Sequence, residues 1–167
     1  MRRSSLRTEE RFIDSCKEHF MEHPHHFDAL SVAPCGMNCG VCFARLRTVN
    51  RCPGCMSYGV DKPNHCNNCR IAHCPELEQA YARFCYECTR FPCLRLRTLD
   101  KRYRMKYGIS MIDNLRSIRE DGLDHFLLTE NSRWKCSQCG SILCVHRPEC
   151  PACGAIRQIR HIRISSV

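Results

Sequence analysis

Cys136-Ser137-Gln138-Cys139-Gly140 and Cys150-Pro151-Ala152-Cys153-Gly154 decide how this chain is read. Each C-x-x-C presents two sulfurs from one tight turn, and the glycine after the second cysteine relieves the backbone there. Two such turns with ten residues between them supply a tetrahedral four-sulfur shell for zinc. The pattern predicts a zinc-ribbon hairpin with a strand over 141–146 between its knuckles. Cys144 and His146 would lie on that strand as packing residues or as substitute ligands. Trp134, just before the first knuckle, is expected to pack on the ribbon rather than stack on a base. The tail from Ala155 to Ile164 mixes two-residue and three-residue apolar spacing, and a strand pairing with the hairpin is the expectation.

Working outward, the 167 residues contain 17 cysteines, an unusual enrichment that makes metal the organising principle. Hydrophobic residues are 43%, but that figure includes the cysteines, so the ordinary apolar supply is modest and staples are needed. The basic start Met1-Arg2-Arg3 is followed by no apolar run of the signal-peptide kind, and Phe126-Leu127-Leu128 is too short to span a membrane. A cytoplasmic, reducing location is therefore expected, where thiolates bind metal and disulfides do not persist. No membrane partner is expected.

Eleven cysteines lie between residues 33 and 93. Cys39, Cys42, Cys52 and Cys55 repeat the two-knuckle pattern, with nine residues between the pairs. Cys35 precedes them, and Cys35-x3-Cys39-x2-Cys42 is also the spacing with which radical S-adenosylmethionine enzymes hold a [4Fe–4S] cluster. The chain has neither the length nor the alternating strand–helix pattern of their barrel. Further on, Cys66-x2-Cys69-x4-Cys74 recurs as Cys85-x2-Cys88-x4-Cys93, every cysteine offset by nineteen. A helix from Pro75 to Phe84 is expected between the copies. The simplest pairing sets Cys66, Cys69, Cys85 and Cys88 on one metal. An interleaved pairing of Cys52 and Cys55 with Cys69 and Cys74 fits the spacing equally well. Eleven cysteines plus His73 would make three four-ligand sites.

The stretches Ala33-Pro34-Cys35-Gly36-Met37-Asn38-Cys39-Gly40-Val41-Cys42, Cys52-Pro53-Gly54-Cys55, Cys69-Arg70-Ile71-Ala72-His73-Cys74 and Phe84-Cys85-Tyr86-Glu87-Cys88-Thr89-Arg90-Phe91-Pro92-Cys93 resemble a functionally uncharacterised prokaryotic family of Cys-rich proteins. The resemblance runs on through Asp100-Lys101-Arg102-Tyr103 and Tyr107-Gly108 into the ribbon, covering about residues 33–154. It implies metal binding, usually taken as zinc, and no particular activity. Cys66 lies outside its pattern, which favours the interleaved pairing.

The expected fold is a small metal-stapled α+β protein. Residues 1–30 read as a helical leader carrying Cys16 on its apolar face and a histidine cluster at its end. Residues 31–93 form an irregular Cys-rich multi-metal region. Residues 94–133 read as central helices, with Leu96, Leu99, Tyr103 and Tyr107 along one face, Gly108 as a stop and Ser110 as a cap. Residues 134–167 form the zinc ribbon with a basic tail. The formal charge of +9 suggests an acidic partner. Four thiolates around a dication leave −2, so the ribbon alone brings the charge to about +7, and three more such sites to about +1. Basicity is then local, in Arg95, Arg97, Lys101, Arg102 and Arg104 on the first central helix and Arg157, Arg160 and Arg163 in the tail. These arginines are the candidate nucleic-acid contacts.

No Gly-rich phosphate loop, H-E-x-x-H or Ser/His/Asp motif is present. The surplus of cysteines favours closed structural shells. The sequence thus points to a multi-site zinc protein acting as a non-catalytic binding or adaptor module for nucleic acid or protein. The alternative is an Fe–S protein with a redox or radical role centred on Cys35, Cys39 and Cys42.

Overall fold

The computed structural model describes residues 27–57 and 62–157. The expected leader helix with Cys16 and its histidines, and the tail residues Arg160 and Arg163, lie outside these. The architecture is α-dominated. Among the described residues six helices follow in chain order: α1 (Phe43–Leu46), α2 (Asn64–Asn67), α3 (Pro75–Gln79), α4 (Leu94–Tyr107), α5 (Met111–Asp121) and α6 (Leu123–Arg133). Single 3-10 turns form at Ala29–Ser31, Cys39–Val41 and Cys85–Glu87. The expected β component is confined, among the described residues, to three isolated antiparallel bridges.

The three long helices arise where the apolar period and the caps agree. On α4, Leu96 is fully buried, and Leu99, Tyr103 and Tyr107 pack beside it on the same face. The helix stops at Gly108, and Arg104 and Lys106 in its last turn suit the dipole. Ser110 Oγ then accepts the Asp113 N–H at 3.0 Å and starts α5. The α4 carboxylate of Asp100 reinforces that start. It accepts the Ser110 hydroxyl at 2.7 Å and the Ile112 N–H at 3.1 Å. This double duty explains a carboxylate that is only 4% exposed. Met111, Leu115 and Ile118 from α5 and Phe126 and Leu127 from α6 fill the core between the helices.

The expected helix over Pro75–Phe84 ends early, at Gln79. Tyr81 adopts φ +50°, its N–H bonds to the Glu78 carbonyl, and the Ala82 N–H reaches back to Leu77 O at 2.9 Å. That is a Schellman ending with tyrosine in the position usually given to glycine. Periodicity alone cannot show such a stop.

The first cysteine loop docks on α5. Ala33 N–H bonds to Met37 O, closing a turn over Pro34–Met37. Gly36 sits at its tip with φ +83°, and a Cβ there would lie 2.7 Å from the Met111 carbonyl oxygen and 2.8 Å from Leu115 Cγ. Asn114 Nδ2 donates to Gly36 O at 2.9 Å. The Cys85 N–H in turn donates to Pro34 O at 2.9 Å, which brings the Cys85–Glu87 turn onto the same loop.

The expected strand over 141–146 does not form. Ile142 makes one bridge, and the chain then plunges inward, with Leu143, Cys144 and Val145 all buried. Val145 N–H donates to Val41 O at 2.9 Å, so the C-terminal segment closes onto the first cysteine loop.

Candidate metal centre

The C-terminal cysteines sit in two turns of matching construction, fourteen residues apart. Lys135 bridges Ile142 as Glu149 bridges Ile156. Cys136 N–H bonds to Ser141 O as Cys150 N–H bonds to Ala155 O, each at 2.8 Å. Gly140 N–H closes on Cys136 O as Gly154 N–H closes on Cys150 O. Both glycines have positive φ, +76° and +73°, which allows each turn to tighten behind its second cysteine.

The two turns face one another. Cys136 Sγ lies 3.8 Å from Cys153 Sγ, and Cys139 Sγ lies 3.7 Å from Cys150 Sγ. All four sulfurs fall within 4.8 Å of one another, a group able to hold a metal ion. Among the described residues it is the one set of three or more potential ligands this close.

The turns also tune the thiols. Amides of Cys139 and Gln138 aimed at Cys136 hold its thiol below the ordinary range. The hydroxyl and amide of Ser141 bring Cys139 down to about 6. The Ala155 amide acts the same way on Cys153, but the neighbouring sulfurs, Cys139 foremost, push that thiol up to about 12. Four sulfurs this close cannot all ionise at neutral pH without a cation between them, so a dication entering here displaces protons.

The eleven cysteines at 35–93 are all free thiols, as are the other described cysteines. They gather in overlapping neighbourhoods rather than in one preformed shell. The Cys55 N–H donates to Cys39 Sγ at 3.4 Å, and contact with the Cys39 thiol, then burial, pushes the Cys55 thiol far up. Burial raises Cys42, with Cys55 and Cys52 adding to it. Burial pushes Cys66 up to about 11, with Cys55, Cys52 and Cys69 as its sulfur neighbours. Burial also pushes Cys85 up to about 12, and its neighbours, strongest first, are Cys93, Cys74, Cys88 and Cys69. Cys66 and Cys85, joined in the simplest pairing, share Cys69 as a neighbour, while their other sulfur neighbours differ. Cys35 is raised by burial and then by Cys55, Cys85 and Cys69, which places it between the two groups. Two polar links hold the second group together: Arg90 to Glu76 at 3.2 Å, and Arg95 to the Arg70 carbonyl at 2.5 Å.

His146 is committed to structure. Phe43 N–H donates to its Nδ1 at 3.2 Å, so the proton of the neutral ring is on Nε2, 3.2 Å from the Tyr103 hydroxyl. Burial, and behind it Arg157, holds this histidine below its ordinary value. Both nitrogens are taken, which removes it as a substitute ligand. Cys144 is 1% exposed and stands outside the four-sulfur group.

A buried polar bridge, not visible in the sequence, ties the two cysteine regions together. Glu130 of α6 is 2% exposed. Its Oε2 accepts Asn38 Nδ2 at 3.0 Å and Trp134 Nε1 at 2.8 Å. Asn38 Oδ1 also accepts the Gly40 N–H, just beside Cys39. Trp134 is buried, as expected, with Arg157 over its ring at 5.0 Å and Arg133 at 5.5 Å.

The candidate nucleic-acid arginines separate. Arg97 and Arg104 line a cleft between α4, α5 and α6, whereas Arg95 is bonded to Arg70 and Arg102 lies over the Tyr103 ring. Lys101, Arg133 and Lys135 line clefts as well, and the last two were not among the sequence candidates.

No family model, curated protein or solved structure matches this chain. No described helix is long and apolar enough to cross a membrane.

Proposed function

We propose that this protein is a zinc-stapled, non-catalytic binding module whose partner is nucleic acid. The observation that carries the metal assignment is the four-sulfur geometry. Zinc–sulfur bonds of about 2.3 Å in a tetrahedron set the sulfurs about 3.8 Å apart. The contacts of 3.8 and 3.7 Å match that edge. They leave room for one ion and not for a cluster of irons and sulfides. Four thiolates also fill the coordination sphere of zinc, as in a structural zinc ribbon, with no position open for substrate.

The same reading gives the 35–93 region two further sites. Cys39, Cys42, Cys52 and Cys55 form one, and Cys74, Cys85, Cys88 and Cys93 the other, with Cys35, Cys66 and Cys69 between them. Membership of the Cys-rich family that residues 33–154 resemble belongs to this proposal, as does residence in a reducing compartment where free thiols persist. The nucleic-acid assignment rests on the α4 cations Arg97 and Lys101, which pair with no acid among the described residues.

Anaerobic purification followed by metal analysis and an absorption spectrum tests the metal assignment. The expected product is colourless and carries more than one zinc per chain. Brown protein with iron and sulfide would sink it and establish the Fe–S alternative.

A further inference from the structure

Two clefts meet at one side chain. The larger, about 910 Å³, lies between α4, α5 and α6, with Arg97, Lys101, Arg104 and Arg133 among its lining. The smaller, about 430 Å³, runs along the first knuckle and includes Arg133, Lys135 and Arg157. Arg133 lines both. We propose that this joined groove is the path of a single-stranded nucleic acid, with its six cations contacting successive phosphates. The proposal rests on the nucleic-acid reading above and gives it a location.

Three observations support the path. First, its exposed cations are unspent. Among the described residues no acid pairs with Arg97, Lys101 or Lys135, and Arg104 has only Asp100 at 3.8 Å. Three exposed arginines elsewhere are balanced, Arg116 by Asp113, Arg119 by Glu120 and Arg90 by Glu76, while Arg51, Arg70, Arg95, Arg102 and Arg147 pair with no acid among the described residues. Second, Arg97, Lys101 and Arg104 recur at helical spacing, so one face of α4 carries them along the cleft wall. Third, the cations at the junction are held in place. Arg133 is fixed by Glu130 Oε1 at 3.4 Å and by the Trp134 ring, and Arg157 stacks on the same ring. Arg157 also reaches the Tyr107 carbonyl, while its Nε is buried with no hydrogen-bond partner among the described residues. A guanidinium already ordered loses little entropy when a phosphate arrives.

The occupant follows from shape and chemistry. A cleft between helices admits one strand and not a duplex. Ser110, Ser117 and Thr129 on its walls offer hydroxyls to phosphate and sugar. The one tryptophan is buried, with two arginines against its ring, and cannot stack a base, so recognition runs through the backbone and is insensitive to sequence.

The test uses the full chain loaded with zinc and a fluorescent oligothymidylate of about 20 nucleotides, with anisotropy followed across a salt series. Six phosphate contacts predict a log–log salt slope of about −4 for a single strand. The combined variant Arg97→Ala, Lys101→Ala, Lys135→Ala removes three cations that make no fold-supporting contact. It should weaken binding at least tenfold and flatten the slope by about 2, with metal content and helical signal unchanged. The control Arg70→Ala, Arg116→Ala, Arg119→Ala removes the same charge away from the path and should leave affinity within about twofold. Equal weakening by both variants, or no weakening by the first, overturns the path while leaving nucleic-acid binding in place. No binding by the unaltered chain at low salt removes both. Tighter binding of labelled polyglutamate than of the oligonucleotide overturns the path in favour of an acidic protein partner.

Discussion

In the C-terminal segment four sulfurs come from two turns fourteen residues apart that copy each other bond for bond. Between Cys35 and Cys93 the sulfurs come from farther afield. Cys35 has Cys55, Cys69 and Cys85 as neighbours, twenty to fifty residues along the chain. Chain length alone does not separate the two cases. Closing a loop of about 50 residues rather than about 14 costs only about 1 kcal/mol more. The difference lies in how many joints must close together. The C-terminal group needs two local turns to face each other. The N-terminal groups also need the Pro34–Met37 turn seated on α5, the Cys85 turn seated on Pro34, and α3 held against the 88–93 loop through Glu76 and Arg90.

Breaking one cysteine on each side exposes that contrast most strongly. Cys85→Ser removes a thiol at the meeting point of several elements. We expect loss of metal together with loss of the cooperative helical transition, a destabilisation above about 4 kcal/mol. Cys139→Ser opens an exposed, locally built group. We expect about one metal equivalent fewer, with the α4–α6 helical signal retained. Metal analysis beside circular dichroism checks both. If Cys139→Ser melts the helices and Cys85→Ser does not, the distinction between local and assembled sites is wrong.

A gentler version uses two glycines in the same backbone region of conformational space. Gly154 has φ +73° and open space around it, so Gly154→Ala carries only the left-handed penalty, about 1–2 kcal/mol. Gly36 has φ +83° and a backbone carbonyl in the way, and Gly36→Ala should cost about 2–4 kcal/mol because the loop must lift off α5. Denaturant midpoints measure the pair. Equal losses would mean that the first cysteine loop does not depend on its seat.

The same distinction governs what could be read from the chain. Cys136, Cys139, Cys150 and Cys153 were legible because the turn that presents them is written in adjacent residues. The helices α4 and α5 were legible because Leu96, Leu99, Tyr103 and Tyr107, then Ile112, Leu115 and Ile118, recur in period and Gly108, Ser110 and Gly122 mark the ends. The end of α3 was not, since it depends on Tyr81 taking a conformation that its side chain disfavours. The segment 141–146 is a short apolar run that reads as a strand between the knuckles, yet Leu143, Cys144 and Val145 are spent on the shared core. The N-terminal pairings could not be chosen by counting, because tertiary seating decides which sulfurs meet. Glu130 carried no motif at all; its role exists only once Asn38, 92 residues away, arrives beside Trp134, one turn further on.

Glu130 sits on the seam between the two regions and offers the finest probe of it. Burial raises its carboxyl above the ordinary value of 4.5, against the pull of Arg133, Asn38 and Trp134. Below that value folded and unfolded chains are both protonated there, and the group does not oppose folding. As pH rises past it, the unfolded chain releases its proton first, so stability falls until the folded group also ionises. Glutamine cannot ionise, and its carbonyl can still accept from Asn38 and Trp134. Glu130→Gln should therefore lose less stability than the wild type as pH rises above 4.5. Cysteine titration and metal release act on both proteins alike and cancel in the difference between their denaturant midpoints. Parallel curves would show that the seam carries no buried charge cost, and that the two regions are joined by packing alone.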